Sequence, residues 1–224
     1  MSSALNAYGR QLTEAERTAK VHREFVGGLW EDIGRRQFDF LAAHGLRPQQ
    51  RLLDVGCGAL RGGIHFIRYL EPGNYYGIDL NDSLLRAGRE IELVEAGLVE
   101  RRPHLLLDGA FSFHRFGTTF SYALALSVFT HLPYNHIELC LINIAAALEP
   151  GGRFYATYFP APQPHVLELP RFQGGRPPTF LAADPYHQHV SLYEYLIQHL
   201  PLRLNVVGDW DHPRGQHMLE FVKT

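Results

Sequence analysis

Residues 51–63, with the sequence RLLDVGCGALRGG, constrain the fold more than any other part of the chain. The segment predicts a short apolar strand at Leu52–Val55, a tight glycine turn at 56–58 and an amphipathic helix that begins at Leu60. Glycines allow the backbone to approach a ligand closely, and the first N–H groups of a helix point toward whatever lies there. A strand, a glycine turn and a helix in this order therefore predict a ligand-binding cradle.

Two aspartates flank this cradle and narrow the choice of ligand. Asp54 stands immediately before the turn, and Asp79 ends the next predicted strand, where a carboxylate can bind ribose hydroxyls. A dinucleotide fingerprint requires glycines in the pattern G-x-G-x-x-G, whereas these stand at 56, 58 and 62. A carboxylate before the turn also suits a ligand with an ammonium group better than it suits a pyrophosphate. The pattern favours S-adenosylmethionine over NAD.

The motifs Asp54-Val-Gly-Cys-Gly58 and Gly77-Ile-Asp79 resemble the cofactor site of the class I S-adenosylmethionine-dependent methyltransferases. The resemblance covers residues 45–224. It implies an α/β fold with a doubly wound, mostly parallel seven-stranded sheet closed by an antiparallel C-terminal hairpin, with N-terminal helices and an insert after the fifth strand. It also implies S-adenosylmethionine as the cofactor and S-adenosylhomocysteine as the product.

Ten residues around the cradle are predicted to bind the cofactor. Arg61, placed in the first helical turn, would pair with the cofactor carboxylate. Asp108, after a third strand, is implied by the resemblance to bind the adenine amino group, although a turn aspartate beside a glycine is the alternative. The ten residues are Asp54, Gly56, Cys57, Gly58, Arg61, Asp79, Leu80, Asp108, Gly109 and Ser127.

Three residues are candidates for catalysis on the acceptor side of the site. His131 follows the fourth strand, whose carboxyl end faces ligands in open α/β sheets, but the pattern Ser-Val-Phe-Thr-His is frequent in the resembling family without a base role. Tyr158 ends the fifth strand and either lines the acceptor pocket or is a buried aromatic residue. His187 lies in the ionisable segment 184–189 and either orients or deprotonates the acceptor or faces water; no metal is predicted there.

The chain is predicted to form one domain over residues 1–224. A helical cap spans 1–45, the cofactor-binding core 46–158, a lid-like insert 159–190, and a closing helix with a hairpin 191–224. The cap is either a lid over the cleft or a packing layer on the sheet. The insert holds seven of the fourteen prolines together with aromatic residues, which indicates an ordered loop rather than disorder.

Periodicity and capping signals predict the elements around the cleft. A helix after Asp79 carries apolar residues every three or four positions, and a short buried strand follows at 105–107. Capping boxes at Thr13 and Ser191 predict the starts of an N-terminal and a C-terminal helix. The apolar positions of the helix after Asp79 are Leu84, Ala87, Ile91, Val94 and Leu98.

A formal net charge of −2 and a pI near 6.7 give the chain no general attraction for nucleic acid or for an anionic membrane. The segment after the fourth strand, Leu126-Ser-Val-Phe129, lacks the Pro-Pro-aromatic motif of enzymes that methylate amino groups of nucleic-acid bases. With two cysteines and no long apolar run, we expect a cytoplasmic protein with no membrane span, no disulfide framework and no nucleic-acid partner; a homodimer stays open.

The sequence therefore predicts transfer of a methyl group from S-adenosylmethionine to a small molecule in a biosynthetic setting, with oxygen preferred over nitrogen as the acceptor. The small-molecule prediction rests on the insert, which is rich in aromatic residues and histidines, and on the charge pattern. Three alternatives stay open. They are N-methylation of a small molecule, an NAD(P)-dependent oxidoreductase, and a methyltransferase-like protein that binds without turnover.

Overall fold

The computed structural model describes residues 7–161 and 184–224, and within them the core is a mixed sheet of eight strands. The strands are β1 (Leu52–Val55), β2 (Tyr75–Asp79), β3 (His104–Leu107), β4 (Phe120–Ala125), β5 (Leu148–Pro160), β6 (His187–Gln188), β7 (Leu202–Asp209) and β8 (His217–Lys223). Their order is β3-β2-β1-β4-β5-β8-β7, with β6 paired to β5 beside this path. All pairs are parallel except β5–β8 and β7–β8, which are antiparallel.

Helices cover both faces of this sheet, which confirms the doubly wound architecture. They are α1 (Glu14–Thr18), α2 (Val21–Phe25), α3 (Trp30–Ala43), α4 (Gly63–Tyr69), α5 (Asp82–Ala87), α6 (Leu93–Glu95), α7 (Tyr134–Ala147) and α8 (Val190–Ile197). Apolar side chains of α7 and α8 form one core with the sheet, and those of α3, α4 and α5 contribute to a second one. Within the described ranges, no helix combines the length and the apolar character that crossing a bilayer requires.

Two features of the sheet differ from the sequence prediction. The predicted seven strands are joined by an eighth, because His187 and Gln188 pair in parallel with Phe159 and Pro160 at the end of β5. The predicted buried strand β3 lies at an edge of the sheet, and Leu107 in it is 47% exposed. A short apolar run does not distinguish an edge strand from a central one, because an edge strand also carries apolar side chains on the face that helices cover.

The helix after Asp79 is not continuous, contrary to the prediction. α5 ends at Ala87, and Gly88–Glu92 form one π-helical turn before α6. A π turn adds one residue and so rotates the side chains that follow it. Glu92 and Leu93 are consequently buried, whereas Val94, predicted on the apolar face, is 57% exposed.

Within its described residues, the N-terminal cap contains three α-helices, α1 to α3. Thr13 and Glu16 form the predicted capping box at α1, but Lys20 adopts a left-handed conformation that separates α1 from α2. The cap docks on the π turn through ion pairs that join Arg17 to Glu90 and Arg23 to Glu92 at 2.9 and 2.8 Å.

The C-terminal part contains the predicted antiparallel hairpin, formed by β7 and β8. The predicted capping box at Ser191 is wrong. The N-cap of α8 lies two residues earlier, at His189, whose Nδ1 accepts the backbone N–H of Ser191. Most of the predicted lid-like insert, residues 162–183, lies outside the described residues.

Candidate active site

The glycine turn between β1 and α4 forms the floor of a cleft at the carboxyl ends of the parallel strands. Gly56 and Gly58 have positive φ angles of 70° and 54°, a conformation that side chains rarely adopt. A Cβ atom on Gly56 would lie 2.6 Å from Val128 Cγ2. The backbone of this turn therefore faces the cleft without intervening side chains, as the sequence predicts for a ligand cradle.

The start of α4 corrects the prediction for Arg61. Leu60 has a φ of 70° and is not helical, and α4 begins at Gly63. Arg61 thus precedes the helix, and its Nη1 donates to the carbonyl oxygens of Val26 and Gly28 at 3.1 and 2.9 Å. Burial lowers the pKa of Arg61 to about 10, which leaves the guanidinium charged at neutral pH.

Asp54 places a buried carboxyl group next to the glycine turn. Its side chain is 5% exposed, and Oδ2 accepts a 2.5 Å hydrogen bond from the hydroxyl of buried Tyr75. Burial raises the pKa of Asp54 to about 7, and the donated hydrogen bond opposes this shift only in part. A cationic ligand in the cleft would favour the ionised form of this carboxyl group.

Asp79 lies at the end of β2 and is bound to the glycine turn. Oδ2 accepts the backbone N–H of Gly58 at 2.8 Å, and Oδ1 accepts that of Asn81 at 2.8 Å. Burial raises the pKa of Asp79, and these backbone donors offset part of the rise. The N–H of Leu80 is a third backbone donor to this carboxylate, and since a carboxylate has about four acceptor directions, Asp79 retains capacity for a ligand hydroxyl.

Asp108 lies in the cleft wall, yet it also organises its own turn. Oδ1 accepts the backbone N–H groups of Ala110 and Ser112, and Oδ2 accepts Arg115 Nη1 at 3.2 Å. Burial opposes the shift, but these donors together lower the pKa of Asp108, which is therefore ionised at neutral pH. The turn role considered from the sequence is thus present, and the carboxylate still borders the cleft.

The cleft brings together all ten residues that the sequence predicts for cofactor binding. The N-terminal cap adds Tyr8, Val26 and Gln37 to the lining, so the cap covers the cleft and does more than shield the sheet. Gly62, the third glycine of the motif, packs against the cap: a Cβ there would lie 2.1 Å from Gln37. No motif in the cap indicated these contacts, because they depend on tertiary packing alone.

His131 also lines the cleft, and the structure supplies a partner that sequence reasoning did not identify. Its Nδ1 donates to Oδ2 of Asp184, the last residue before the cis peptide bond to Pro185. Burial lowers the pKa of His131, and the Asp184 carboxylate raises it part of the way back. Nδ1 carries the proton in this arrangement, so Nε2 is the basic nitrogen of the ring.

The other two catalytic candidates lie elsewhere. Tyr158 is 4% exposed and packs edge-on against Tyr193 in the core beside α8, and β5 continues past it to Pro160. His187 belongs to β6 and stacks on Phe159, with ring centroids 4.9 Å apart. Among the described residues, the set that lines the cleft includes neither Tyr158 nor His187. The alternation of side chains along β5 directs Tyr158 into the core, and the pairing of β6 with β5 places His187 beside Phe159. The sequence indicated neither arrangement.

Residues 53–154 match the model of a family described as a methyltransferase domain. The matched range contains the glycine turn, Asp54, Asp79, Asp108 and His131. The chain carries a class I S-adenosylmethionine-dependent methyltransferase domain. This assignment favours methyl transfer over the nicotinamide-dependent oxidation that the sequence left open.

The methyltransferase domain has the fold of several solved methyltransferases. The CcbJ methyltransferase of Streptomyces caelestis matches with a TM-score of 0.72 and 16% identity, over 99% of this chain and 100% of that chain. Magnesium protoporphyrin IX methyltransferase of Synechocystis PCC 6803, solved with bound SAM, matches with a TM-score of 0.64 and 13% identity, over 96% and 86%. The mitomycin 7-O-methyltransferase MmcR matches with a TM-score of 0.66 and 15% identity, over 94% and 59%. At these identities the similarity establishes the fold alone.

Proposed function

We propose that the protein transfers the methyl group of S-adenosylmethionine to an oxygen atom of a small molecule, with His131 as the group that accepts the proton. The observation that carries this proposal is the hydrogen bond between His131, which lines the cleft, and Asp184. Bound S-adenosylmethionine supplies a methyl group on a positively charged sulfur.

The residues of the cleft fit this cofactor. Asp79 has acceptor capacity for a ribose hydroxyl, and the turn at Gly56 and Gly58 lets a ligand approach the backbone. Asp54 is a buried carboxyl group whose raised pKa falls back toward its ordinary value beside a cation. Arg61 and the carboxylate of Asp108 lie at other positions of the lining, where they would bind the carboxylate and the adenine amino group.

The role of His131 follows from its hydrogen bond. Because the N–H at Nδ1 donates a hydrogen bond to Asp184, Nε2 is the basic nitrogen of the ring. The Asp184 carboxylate stabilises the imidazolium that forms when Nε2 takes a proton from the acceptor. Burial keeps the pKa of His131 below its ordinary value, so the ring is neutral and ready to accept a proton at neutral pH. An oxygen acceptor needs such a base more than an uncharged amine does.

A small acceptor is favoured by the covering of the cleft. Tyr8, Val26 and Gln37 of the cap close over it, which limits access for a folded macromolecule. The net charge of −2 does not favour a polyanion. Two of the proteins with this fold, the porphyrin and mitomycin enzymes, are named for small-molecule acceptors.

The cofactor assignment is tested first, by titration calorimetry of S-adenosylhomocysteine into the wild-type protein, Asp79→Asn and Asp82→Asn. Asp82 lies three residues away in α5 and does not contribute to the cleft lining, so its variant controls for a general loss of negative charge. We expect the Asp79 variant to weaken binding about tenfold or more and the control to change it little. Absence of binding to folded wild-type protein would contradict the proposal.

The acceptor atom is tested by incubating the protein with trideuteromethyl-labelled cofactor and a panel of phenols, carboxylic acids and amines, followed by mass spectrometry. Labelled ethers or esters support the proposal, and their yield is expected to fall about 10²–10⁴-fold in His131→Asn. Labelled amines alone would favour the N-methyltransferase alternative. Cofactor binding without any transfer across a broad panel would favour a protein that binds without turnover.

A further inference from the structure

Two arginines from distant parts of the chain converge on one turn at the rim of the cleft. The turn, residues 26–28, ends α2, and all three of its carbonyl oxygens accept hydrogen bonds from guanidinium groups. Arg61 Nη1 binds the carbonyls of Val26 and Gly28, and Arg214 Nη2 binds the carbonyl of Gly27. Arg61 comes from the cofactor turn, whereas Arg214 comes from the connection between β7 and β8.

Neither of these guanidinium groups has a carboxylate partner in the part of the chain that the structure describes. Arg36, which also binds the β7–β8 connection, instead pairs with Asp32 and Asp211 at 2.7 Å. The charge of Arg214 adds to burial in lowering the pKa of Arg61, which indicates that the two cations repel each other. Two partly buried like charges repel each other, and the negative charge of Asp54 offsets the lowered pKa of Arg61 only in part. An anion between the two guanidinium groups would relieve the remaining cost.

Both guanidinium groups also retain hydrogen-bonding capacity. An arginine carries five N–H donors on three nitrogens, and each of these side chains uses only one nitrogen on the turn. The remaining donors form the planar fork that binds two oxygens of a carboxylate or phosphate.

Arg214 is not itself among the described residues that line the cleft, but the turn that it binds borders the cleft: Val26 belongs to the lining, and Arg214 binds the carbonyl of the adjacent Gly27. Burial raises the pKa of Tyr8 and lowers the pKa of His131, and the positive charge of Arg214 opposes the first shift and adds to the second. Tyr8 and His131 both line the cleft, and their rings pack edge to face at 4.8 Å.

Next to Arg214, His212 is 5% exposed, and its Nδ1 accepts the backbone N–H of Arg214. Its proton is therefore on Nε2, which is buried and has no hydrogen-bond partner among the described residues. Nε2 of His212 is thus a donor without an acceptor among the described residues, in addition to the unused N–H donors of the two guanidinium groups.

We propose that Arg214, with Arg61 beside it, forms a subsite for an anionic group of the methyl acceptor, a carboxylate or a phosphate. This inference rests on the proposed function, and it narrows the acceptor to a small molecule that bears a negative charge. The carboxylate of the cofactor is a second anionic group that these guanidinium groups can bind. Arg61 adjoins the cofactor turn and takes that group, whereas Arg214 enters from the β7–β8 connection and takes the group on the acceptor.

The cofactor arm of the test distinguishes these two anionic groups. Titrations compare S-adenosylhomocysteine with 5′-methylthioadenosine, which lacks the carboxylate, in Arg61→Gln and Arg214→Gln. We expect the Arg61 variant to weaken S-adenosylhomocysteine about tenfold and methylthioadenosine little, and the Arg214 variant to leave both within about twofold. A selective tenfold loss of S-adenosylhomocysteine in the Arg214 variant would overturn the proposal by assigning Arg214 to the cofactor.

The acceptor arm uses benzoate, inorganic phosphate and the neutral isostere benzamide, titrated by NMR into protein saturated with S-adenosylhomocysteine. We expect benzoate or phosphate, but not benzamide, to bind, and Arg214→Gln to weaken that binding about ten- to a hundredfold. Arg214→Lys, which keeps the charge but loses the fork, should give an intermediate affinity. If Arg214→Gln fails to fold, the lysine variant carries the comparison.

Arg36→Gln is the matched control, because Arg36 also joins the cap to the β7–β8 connection through the carbonyl of Asp211. If Arg214 only tethers the cap, Arg214→Gln and Arg36→Gln should have the same anion affinity, and that result would overturn the proposal. Binding of benzamide as tight as that of benzoate, or no anion binding by the wild-type protein, would also overturn it. Anion binding is also measured without cofactor, so failure of S-adenosylhomocysteine to bind would count against the proposed function and not against this subsite.

Discussion

The backbone N–H of Ser127 donates a 2.7 Å hydrogen bond to the hydroxyl of Thr157 on the neighbouring strand. Ser127 follows β4 with a φ of 57°, an unfavourable conformation for a residue with a side chain. Thr157 is fully buried in β5. The hydrogen bond therefore holds a strained turn in place, and that turn leads directly to His131.

Replacing Thr157 with valine is expected to destabilise the protein by about 1–3 kcal/mol, because the N–H of Ser127 loses its acceptor in the interior. Thr157→Ser keeps the hydroxyl and is expected to cost less, about 1 kcal/mol for the missing methyl group. Urea unfolding measures both values. Equal destabilisation by the two substitutions would show that the hydrogen bond contributes little.

Alanine at Gly56 is expected to be more damaging than alanine at Gly117, although both glycines have similar positive φ angles of 70° and 66°. A Cβ on Gly56 would lie 2.6 Å from Val128, whereas nothing lies within 4 Å of a Cβ on Gly117. The Gly117 variant therefore measures backbone strain alone, about 1–2 kcal/mol. Gly56→Ala should add a steric cost that Val128→Ala partly relieves, and a double-mutant cycle in urea unfolding measures that coupling.

Asp54 should make the cofactor-free protein less stable as pH rises. Its pKa is about 7 in the folded protein against an ordinary value of 3.8, so between these values the folded protein retains a proton that the unfolded chain has released. The free energy of unfolding should fall across this window by roughly 4 kcal/mol from this group, and stay level above pH 7. Asp54→Asn should remove that dependence in urea unfolding at pH 5 and pH 8. A dependence unchanged in the variant would assign it to other groups.

His131 should titrate below its ordinary pKa of 6.5, because burial disfavours the imidazolium more than Asp184 favours it. NMR titration of the ring measures this pKa, and kcat/KM should fall toward acid pH with the same midpoint once an acceptor is known. Asp184→Asn should lower the pKa further, whereas Arg214→Gln should raise it, since the Arg214 charge opposes protonation. An acid limb that does not move in either variant would argue against His131 as the base.

The ten residues predicted to bind the cofactor lie together in one cleft, because they follow strand ends and glycine turns, which are local features of the sequence. Asp54, Asp79 and Asp108 come directly at or after strands, and parallel strands bring their carboxyl ends to one edge of the sheet. Predicting these three positions required only the spacing of strands and turns within about thirty residues of one another. It required no knowledge of tertiary packing.

The contacts around His131 were not predicted, because they join distant parts of the chain. His131 and Asp184 are 53 positions apart, and the sequence offers no signal that they pair. Tyr158 was expected at a strand end, but β5 extends further and directs its ring into the core. The contact of Arg214 with Gly27 joins distant parts of the chain, and no feature of the sequence indicated it.

The π turn at Gly88–Glu92 determines where the N-terminal cap is anchored. One additional residue in that turn carries Glu92 inward, where it accepts hydrogen bonds from His22 and from Arg23. Deleting a single residue there would restore a regular helix and rotate Glu92 by about 100° away from the cap. The loss of one residue in this turn, none of whose side chains lines the cleft, would therefore remove a contact of the cap that covers it.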